Sequence, residues 1–134
     1  MKLSIILCLF ILVLMSCNSQ KPEDQELILN IKDKTVDLSE SLKEAWDEVC
    51  IFSPYSNNQT AEDTLGFEWD LETHTSIYTN DGVSLLVFVR NRSVFKYFEV
   101  SRRVLDFTSL GSHCFKNKKS SFIIKNGNAI YVEI

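Results

Sequence analysis

The run Val83–Val89 constrains the fold of this chain more than any other segment. Its odd-numbered positions are all Val or Leu, and Leu86 and Phe88 stand between them. Because successive side chains of a β-strand point to opposite faces, this strand would be apolar on both sides. Such a strand must be covered on both faces, so the run predicts a central strand with a helix packed over the sheet.

Turn residues place further strands around this one. The clearest is Asn126-Gly127, which separates Phe122–Lys125 from Ala129–Ile134. Asn and Gly tolerate the two positive φ angles of a type I′ turn, so the segment predicts a hairpin. Other strands are predicted at the apolar segments Leu27–Ile31, Val49–Phe52 and Ser93–Val100.

Two segments favour helix. Asp37–Trp46 has a capping residue, Asp37, and Glu40 three residues later, as in a capping box. Thr60–Gly66 has a Thr cap, two acids in its first turn and a terminal Gly. The predicted class is therefore α+β: an antiparallel sheet of about five or six strands with one or two short helices packed on it.

The start of the chain has the composition of an export signal. Lys2 is followed by an apolar run from Leu3 to Met15, and Ser16 is the small residue at its end. Thirteen residues of helix reach only about 20 Å, short of the roughly 30 Å hydrocarbon core. The segment therefore predicts a cleaved signal over residues 1–16 rather than a membrane span.

The tetrapeptide Leu14-Met15-Ser16-Cys17 resembles the lipobox of bacterial lipoproteins. This resemblance implies that Cys17 is joined to diacylglycerol, that the chain is cut before it, and that the new amine is acylated. Two or more acyl chains, such as palmitate, give durable membrane anchoring. In that family, Asn18 rather than Asp after the Cys favours the outer membrane of the cell envelope. The alternative is an ordinary secretory signal with an incidental Cys.

Composition sets the remaining boundaries. Residues 17–26 are polar after Cys17 and predict a flexible tether, and residues 27–134 have the length of a single α+β domain. The chain carries a net charge of −4, which argues against nucleic acid as a partner. Two partners are therefore expected. One is a membrane, which the chain reaches through its lipid anchor, and the other is a protein.

Cys50 and Cys114 are left after the signal and the lipidated residue are accounted for. In an oxidising compartment they can form a disulfide that closes a 65-residue loop. Alternatively they are two separate buried thiols. A metal site that combines them with His74 and His113 is disfavoured, because the spacing matches no metal motif. The sequence predicts no metal and no cofactor.

No catalytic residues are predicted. Asp47 and Asp70 each follow a Trp, and His74 lies in a polar segment. Two catalytic carboxylates must converge in a pocket, which spacing cannot show, and His74 has no nearby nucleophile in a known arrangement. An enzyme that uses these three residues is therefore the least favoured of three hypotheses.

An aromatic group is the best candidate for partner binding: Phe52, Tyr55, Phe67 and Trp69 flank the least regular part of the chain. If exposed together they would form an apolar recognition surface, and otherwise they fill one end of the core. The segments Trp46–Tyr55, Leu65–Trp69 and Leu85–Val89 resemble a group of small bacterial lipoproteins of unassigned function. The leading hypothesis is a lipid-anchored extracytoplasmic binding or structural protein, and the second is an inhibitor or immunity-type lipoprotein that blocks an extracytoplasmic enzyme.

Overall fold

The computed structural model describes residues 27–132. Three predicted features lie outside this range: the signal 1–16, the lipidation of Cys17 and the tether 17–26. The last two residues of the chain also lie outside it. Within residues 27–132, no helix is long and apolar enough to cross a membrane.

In the described part of the chain, eight strands form two antiparallel sheets of four strands each. The first sheet has the order β1-β2-β7-β8, and the second has the order β5-β4-β3-β6. The strands are β1 (Asn30–Lys32), β2 (Thr35–Asp37), β3 (Glu48–Phe52), β4 (Val83–Arg90), β5 (Ser93–Ser101), β6 (His113–Lys116), β7 (Ser121–Lys125) and β8 (Asn128–Ile130). The predicted α+β class is confirmed, with eight strands in two sheets instead of five or six in one.

The second sheet is the middle layer of the molecule, because it has a hydrophobic core on each face. One core lies between the two sheets and joins Val36 and Phe122 of the first sheet to Leu86 and Phe88 of the second. The other core lies between the second sheet and the helical segments. The layers are therefore the first sheet, the second sheet and a helical layer.

Strand β4 occupies the position predicted for it, between β3 and β5. Leu85, Val87 and Val89 contribute to the core under the helices, whereas Leu86 and Phe88 contribute to the core between the sheets. The prediction of a central strand that is covered on both faces is confirmed.

The helical layer contains α1 (Asn58–Leu65) and the single turn α2 (Leu71–His74). Asn57, not Thr60, caps α1, and its side chain accepts a hydrogen bond from the Thr60 N–H. Gly66 ends the helix in the left-handed conformation, with φ of 80°. Two buried residues, Ala61 and Leu65, fix α1 to the sheet, so the predicted helix is confirmed with a shifted cap.

The helix predicted for Asp37–Trp46 is wrong. Asp37 ends strand β2, and its carboxylate accepts hydrogen bonds from the N–H and hydroxyl of Ser39. The N–H of Leu38 donates to the carbonyl of Ser120, and the N–H of Ser41 donates to the carbonyl of Leu38, so this segment forms a turn held against a neighbouring segment rather than a helix. Leu38, Leu42 and Trp46 are nevertheless buried. Their four-residue spacing marked burial in a loop, not a helix.

Tight turns connect two pairs of strands, and the one at Asn126-Gly127 is the predicted hairpin turn. Asn126 and Gly127 have φ of 51° and 77° between β7 and β8, which are the positive angles of a type I′ turn. Asn91 and Arg92 have φ of 53° and 58° between β4 and β5. These turns fix the register of both hairpins.

A disulfide joins Cys50 of β3 to Cys114 of β6, so the bridged alternative is the one found. The two residues lie directly opposite each other in the antiparallel pair, with a Cα–Cα distance of 4.0 Å. Cys50 is fully buried in the core under the helices. The bridge therefore fixes the edge strand β6 to the middle of its sheet.

Candidate functional site

Trp69 is at the centre of a surface cluster of aromatic rings. Its ring stacks on that of His74 with a centroid distance of 5.6 Å and lies 5.2 Å from that of Tyr97 on β5. The His74 and Tyr97 rings are 6.0 Å apart at nearly a right angle. We call these three residues the aromatic ridge. It joins the helical layer to the edge strand of the second sheet.

The short helix α2 holds one side of the ridge in place. The Asp70 carboxylate caps α2 by accepting a hydrogen bond from the Thr73 N–H, and Nδ1 of His74 lies 2.7 Å from the Asp70 carbonyl oxygen. The Asn58 amide also donates to the Asp70 carboxylate, which connects α1 to α2. Hydrogen bonds from Thr73, and then from Asn58, lower the pKa of Asp70. Asp70 and His74 therefore shape this surface through local hydrogen bonds.

Two clefts flank Trp69. The β5 cleft, of about 460 Å³, lies between Phe67–Trp69 and the β5 side formed by Arg92–Phe95 with Tyr97. The acidic cleft, of about 370 Å³, is lined by polar residues of the helical layer together with Trp69: Asn58, Gln59, Glu62, Glu68, Trp69 and Asp70. Glu68 and Trp69 belong to both clefts and separate them.

Only part of the predicted aromatic group lies at this surface. Phe67 and Trp69 line the β5 cleft and are half-buried against the core under the helices. Tyr55 is 62% exposed but lines neither cleft and makes no ring contact with the ridge among residues 27–132. Phe52 is fully buried in the same core, so its inclusion in an exposed surface is wrong. As the last residue of β3, it is covered by the helical layer on a sheet that is buried on both faces.

Sequence reasoning did not connect Trp69 with its two ring partners. Tyr97 is 28 residues away in the chain and comes near only because β5 pairs with β4 at the edge of the sheet. His74 was considered as a catalytic residue, whereas its ring stacks on Trp69. Trp69 directly precedes the α2 cap Asp70 and His74 is the last residue of α2, so their closeness in the sequence is the local signal that could have linked them.

No family model matches this chain, and neither a curated protein nor a solved structure matches it. What the surface can do must follow from its own residues.

Of the three residues considered for acid–base chemistry, Asp70 and His74 lie together at the two ends of α2, whereas Asp47 lies in another part of the fold. Asp47 immediately precedes β3, and its carboxylate accepts a hydrogen bond from the Asn91 N–H and supports the turn between β4 and β5. Asp70 caps α2 in another layer, and no hydrogen bond or ion pair joins it to Asp47 within residues 27–132. Each carboxylate has a local structural role.

One group of metal-type side chains occurs in the described part of the chain: Glu48, Cys50 and Cys114. The two sulfur atoms are bonded to each other, so neither is the thiolate that a metal would need. Glu48 in turn forms an ion pair with Lys116 across the two strands. These side chains therefore stabilise the sheet rather than form a metal centre.

Proposed function

We propose that this protein is a lipid-anchored, extracytoplasmic binding protein that holds a protein partner through the aromatic ridge. The observation that carries this proposal is the ridge itself. Trp69, His74 and Tyr97 present three rings at the surface, supported from below by the core and from the side by α2. Trp and Tyr are the residue types that dominate binding energy at protein interfaces, and a rigid support lowers the entropy lost on binding.

The lipobox at Leu14–Cys17 supports the anchored location. The Cys50–Cys114 disulfide supports export, because disulfides persist in extracytoplasmic compartments and are rare in a reducing cytosol. Leu27 and Leu29, at the start of the described body, pack against the core between the sheets. The aromatic ridge belongs to the opposite side of the second sheet, so a body held at its amino terminus would leave the ridge accessible.

A binding role accounts for the acid and imidazole groups better than an enzymatic one. Asp47 supports a turn, Asp70 caps a helix, and His74 stacks on Trp69 while its Nδ1 contacts a backbone oxygen. A catalytic dyad needs two such groups aimed at one point in a pocket. These residues are instead used to build the surface.

The second candidate is an inhibitor or immunity-type lipoprotein that blocks an extracytoplasmic enzyme. The carboxylates of Glu62, Glu68 and Asp70 beside Trp69 favour it over a purely structural role. An acidic surface with an aromatic anchor is complementary to an enzyme whose active site is basic. This candidate differs from the first only in the identity of the partner.

The anchor is tested by expressing the full chain and its Cys17→Ser variant in a bacterium supplied with labelled palmitate. We expect label on the full chain and none on the variant. We also expect mass spectrometry to find a processed amino terminus at Cys17. An unmodified and uncleaved amino terminus would contradict the anchored location.

Binding is tested by photo-crosslinking in intact cell envelopes, with a crosslinker introduced at Ser93, an exposed residue that lines the β5 cleft. The full chain should give a discrete crosslinked product that is lost in Trp69→Ala and in Tyr97→Ala. Ile123→Ala is the matched control, because Ile123 is an exposed apolar residue on the first sheet, away from the ridge. Products that persist in both aromatic variants, with folding verified by circular dichroism, would refute binding through the ridge.

A further inference from the structure

The charged residues of this chain are segregated. Residues 44–89 contain nine Asp or Glu and no Lys or Arg. This segment forms β3, the whole helical layer and all of β4 except its last residue, Arg90. Because β3 and β4 are largely buried, the negative charge is concentrated on the helical layer that carries Trp69.

The carboxylates of this layer are not neutralised within the described body. The three ion pairs among residues 27–132 use Glu44, Glu48 and Asp106. Five other carboxylates on and between the two helices are exposed and belong to none of these pairs: Glu62, Asp63, Glu68, Asp70 and Glu72. The helical layer that carries Trp69 therefore has an excess of negative charge.

The two clefts beside Trp69 differ in charge. Glu68 is the one carboxylate that lines the β5 cleft, which Arg92 also lines and where the Arg90 guanidinium lies 3.7 Å over the Phe95 ring. The acidic cleft on the other side of Trp69 is lined by the carboxylates of Glu62, Glu68 and Asp70 and by no Lys or Arg. The Glu68 carboxylate forms no ion pair in the described body, so it is available to a partner.

We infer that the acidic cleft and the adjoining face of Trp69 dock a basic, arginine-bearing segment of the partner protein, an inference that rests on the proposed function. A guanidinium is planar and weakly hydrated, so it stacks on an indole ring while its N–H groups bind carboxylates. Trp69 lines this cleft together with the carboxylates of Glu62, Glu68 and Asp70, so one cleft supplies both kinds of contact. The surrounding carboxylates increase the rate at which a cationic segment arrives.

The probe for this inference is a tetra-arginine amide, with tetra-serine and tetra-glutamate amides for comparison. The chain has two Trp residues, so its 15N-labelled full-length form in non-ionic detergent gives two indole N–H resonances. Trp46 is 4% exposed and serves as the internal reference. Tetra-arginine should shift the Trp69 resonance saturably at low salt, with Trp46 unchanged. Added NaCl should weaken the binding.

Glu68→Gln should weaken tetra-arginine binding about 1.5- to 5-fold, as expected for one exposed charge pair. Glu40→Gln is the matched control, because Glu40 is exposed but lies outside both clefts. The affinity of the Glu40→Gln variant for tetra-arginine should equal that of the unmodified chain.

The inference is overturned by any of three results. These are a Trp69 resonance that tetra-arginine does not move, an equal response to tetra-glutamate, or equal affinities of the Glu68→Gln and Glu40→Gln variants. If envelope crosslinks still depend on Trp69 when tetra-arginine has no effect, the proposed function stands and only the basic partner is refuted. If the crosslinks do not depend on Trp69, the proposed function itself fails.

Discussion

The double substitution Cys50→Ala/Cys114→Ala should lower the free energy of unfolding by about 4 kcal/mol. The two residues are 64 positions apart, so the bridge closes a loop of 65 residues in the unfolded chain. Loop-closure entropy for this length is about 14.5 cal/mol/K, or about 4.3 kcal/mol at 25 °C. This loss is a large part of the roughly 5–15 kcal/mol stability of a typical domain.

The assay is guanidinium unfolding of the full chain in non-ionic detergent, followed by the fluorescence of the buried Trp46. The reduced unmodified chain provides a second comparison, because it loses the cross-link but keeps both sulfur atoms in the core. Both the reduced chain and the double variant should unfold at much lower denaturant than the oxidised chain.

A loss below about 1 kcal/mol in both forms would refute the reasoning. It would mean that the unfolded chain keeps β3 and β6 close together without the bridge. A large loss in the double variant alone would instead assign the effect to core packing around Cys50, which is fully buried.

Three further predictions concern stability. Phe88→Ala should cost about 3–5 kcal/mol in denaturant unfolding, because Phe88 is buried and packs edge-to-face on Trp46 and Phe98; a loss under about 1 kcal/mol would contradict this packing. Gly127→Ala should cause no steric clash but should lower the free energy of unfolding by about 1 kcal/mol, because an alanine is strained at φ of 77°. An unchanged denaturant midpoint would contradict this prediction. Burial raises the pKa of Asp106, but hydrogen bonds from Thr108 and the Arg102 guanidinium outweigh it and lower the pKa. The stabilisation that the ionised Asp106 contributes is therefore fully present above the pKa of about 3.9 that this carboxyl has in the unfolded chain. It is lost as the pH falls through the lower pKa of the folded state. Asp106→Asn should flatten the acid limb of a stability–pH profile, and an unchanged limb would refute this.

Local patterns predicted the parts of the fold that local physics determines. The alternation in Val83–Val89 identified the strand with a core on each face, and Asn126-Gly127 identified a hairpin. The pattern at Asp37–Trp46 failed because a capping residue and four-residue apolar spacing also occur in a buried loop. There the Asp37 side chain binds Ser39, and the backbone of Leu38 binds Ser120. The hydrogen bond between Leu38 and Ser120 joins residues far apart in the chain, so a local pattern cannot predict it.

The candidate site was only partly predictable for the same reason. Trp69 and Tyr55 could be chosen as large aromatics in an irregular segment, but burial of Phe52 depends on the helices that cover β3. Tyr97 joins the ridge because β5 pairs with β4. The four-residue strand β6 has little signal of its own, since its partner β3 lies more than 60 residues earlier.

Because the second sheet supplies side chains to both cores, neither outer layer can detach without exposing apolar surface on a strand that the other layer needs. The body should therefore melt in one transition, with the two cores lost together. A binding surface on such a rigid body is already ordered before the partner arrives. Binding would therefore lose little conformational entropy at this surface.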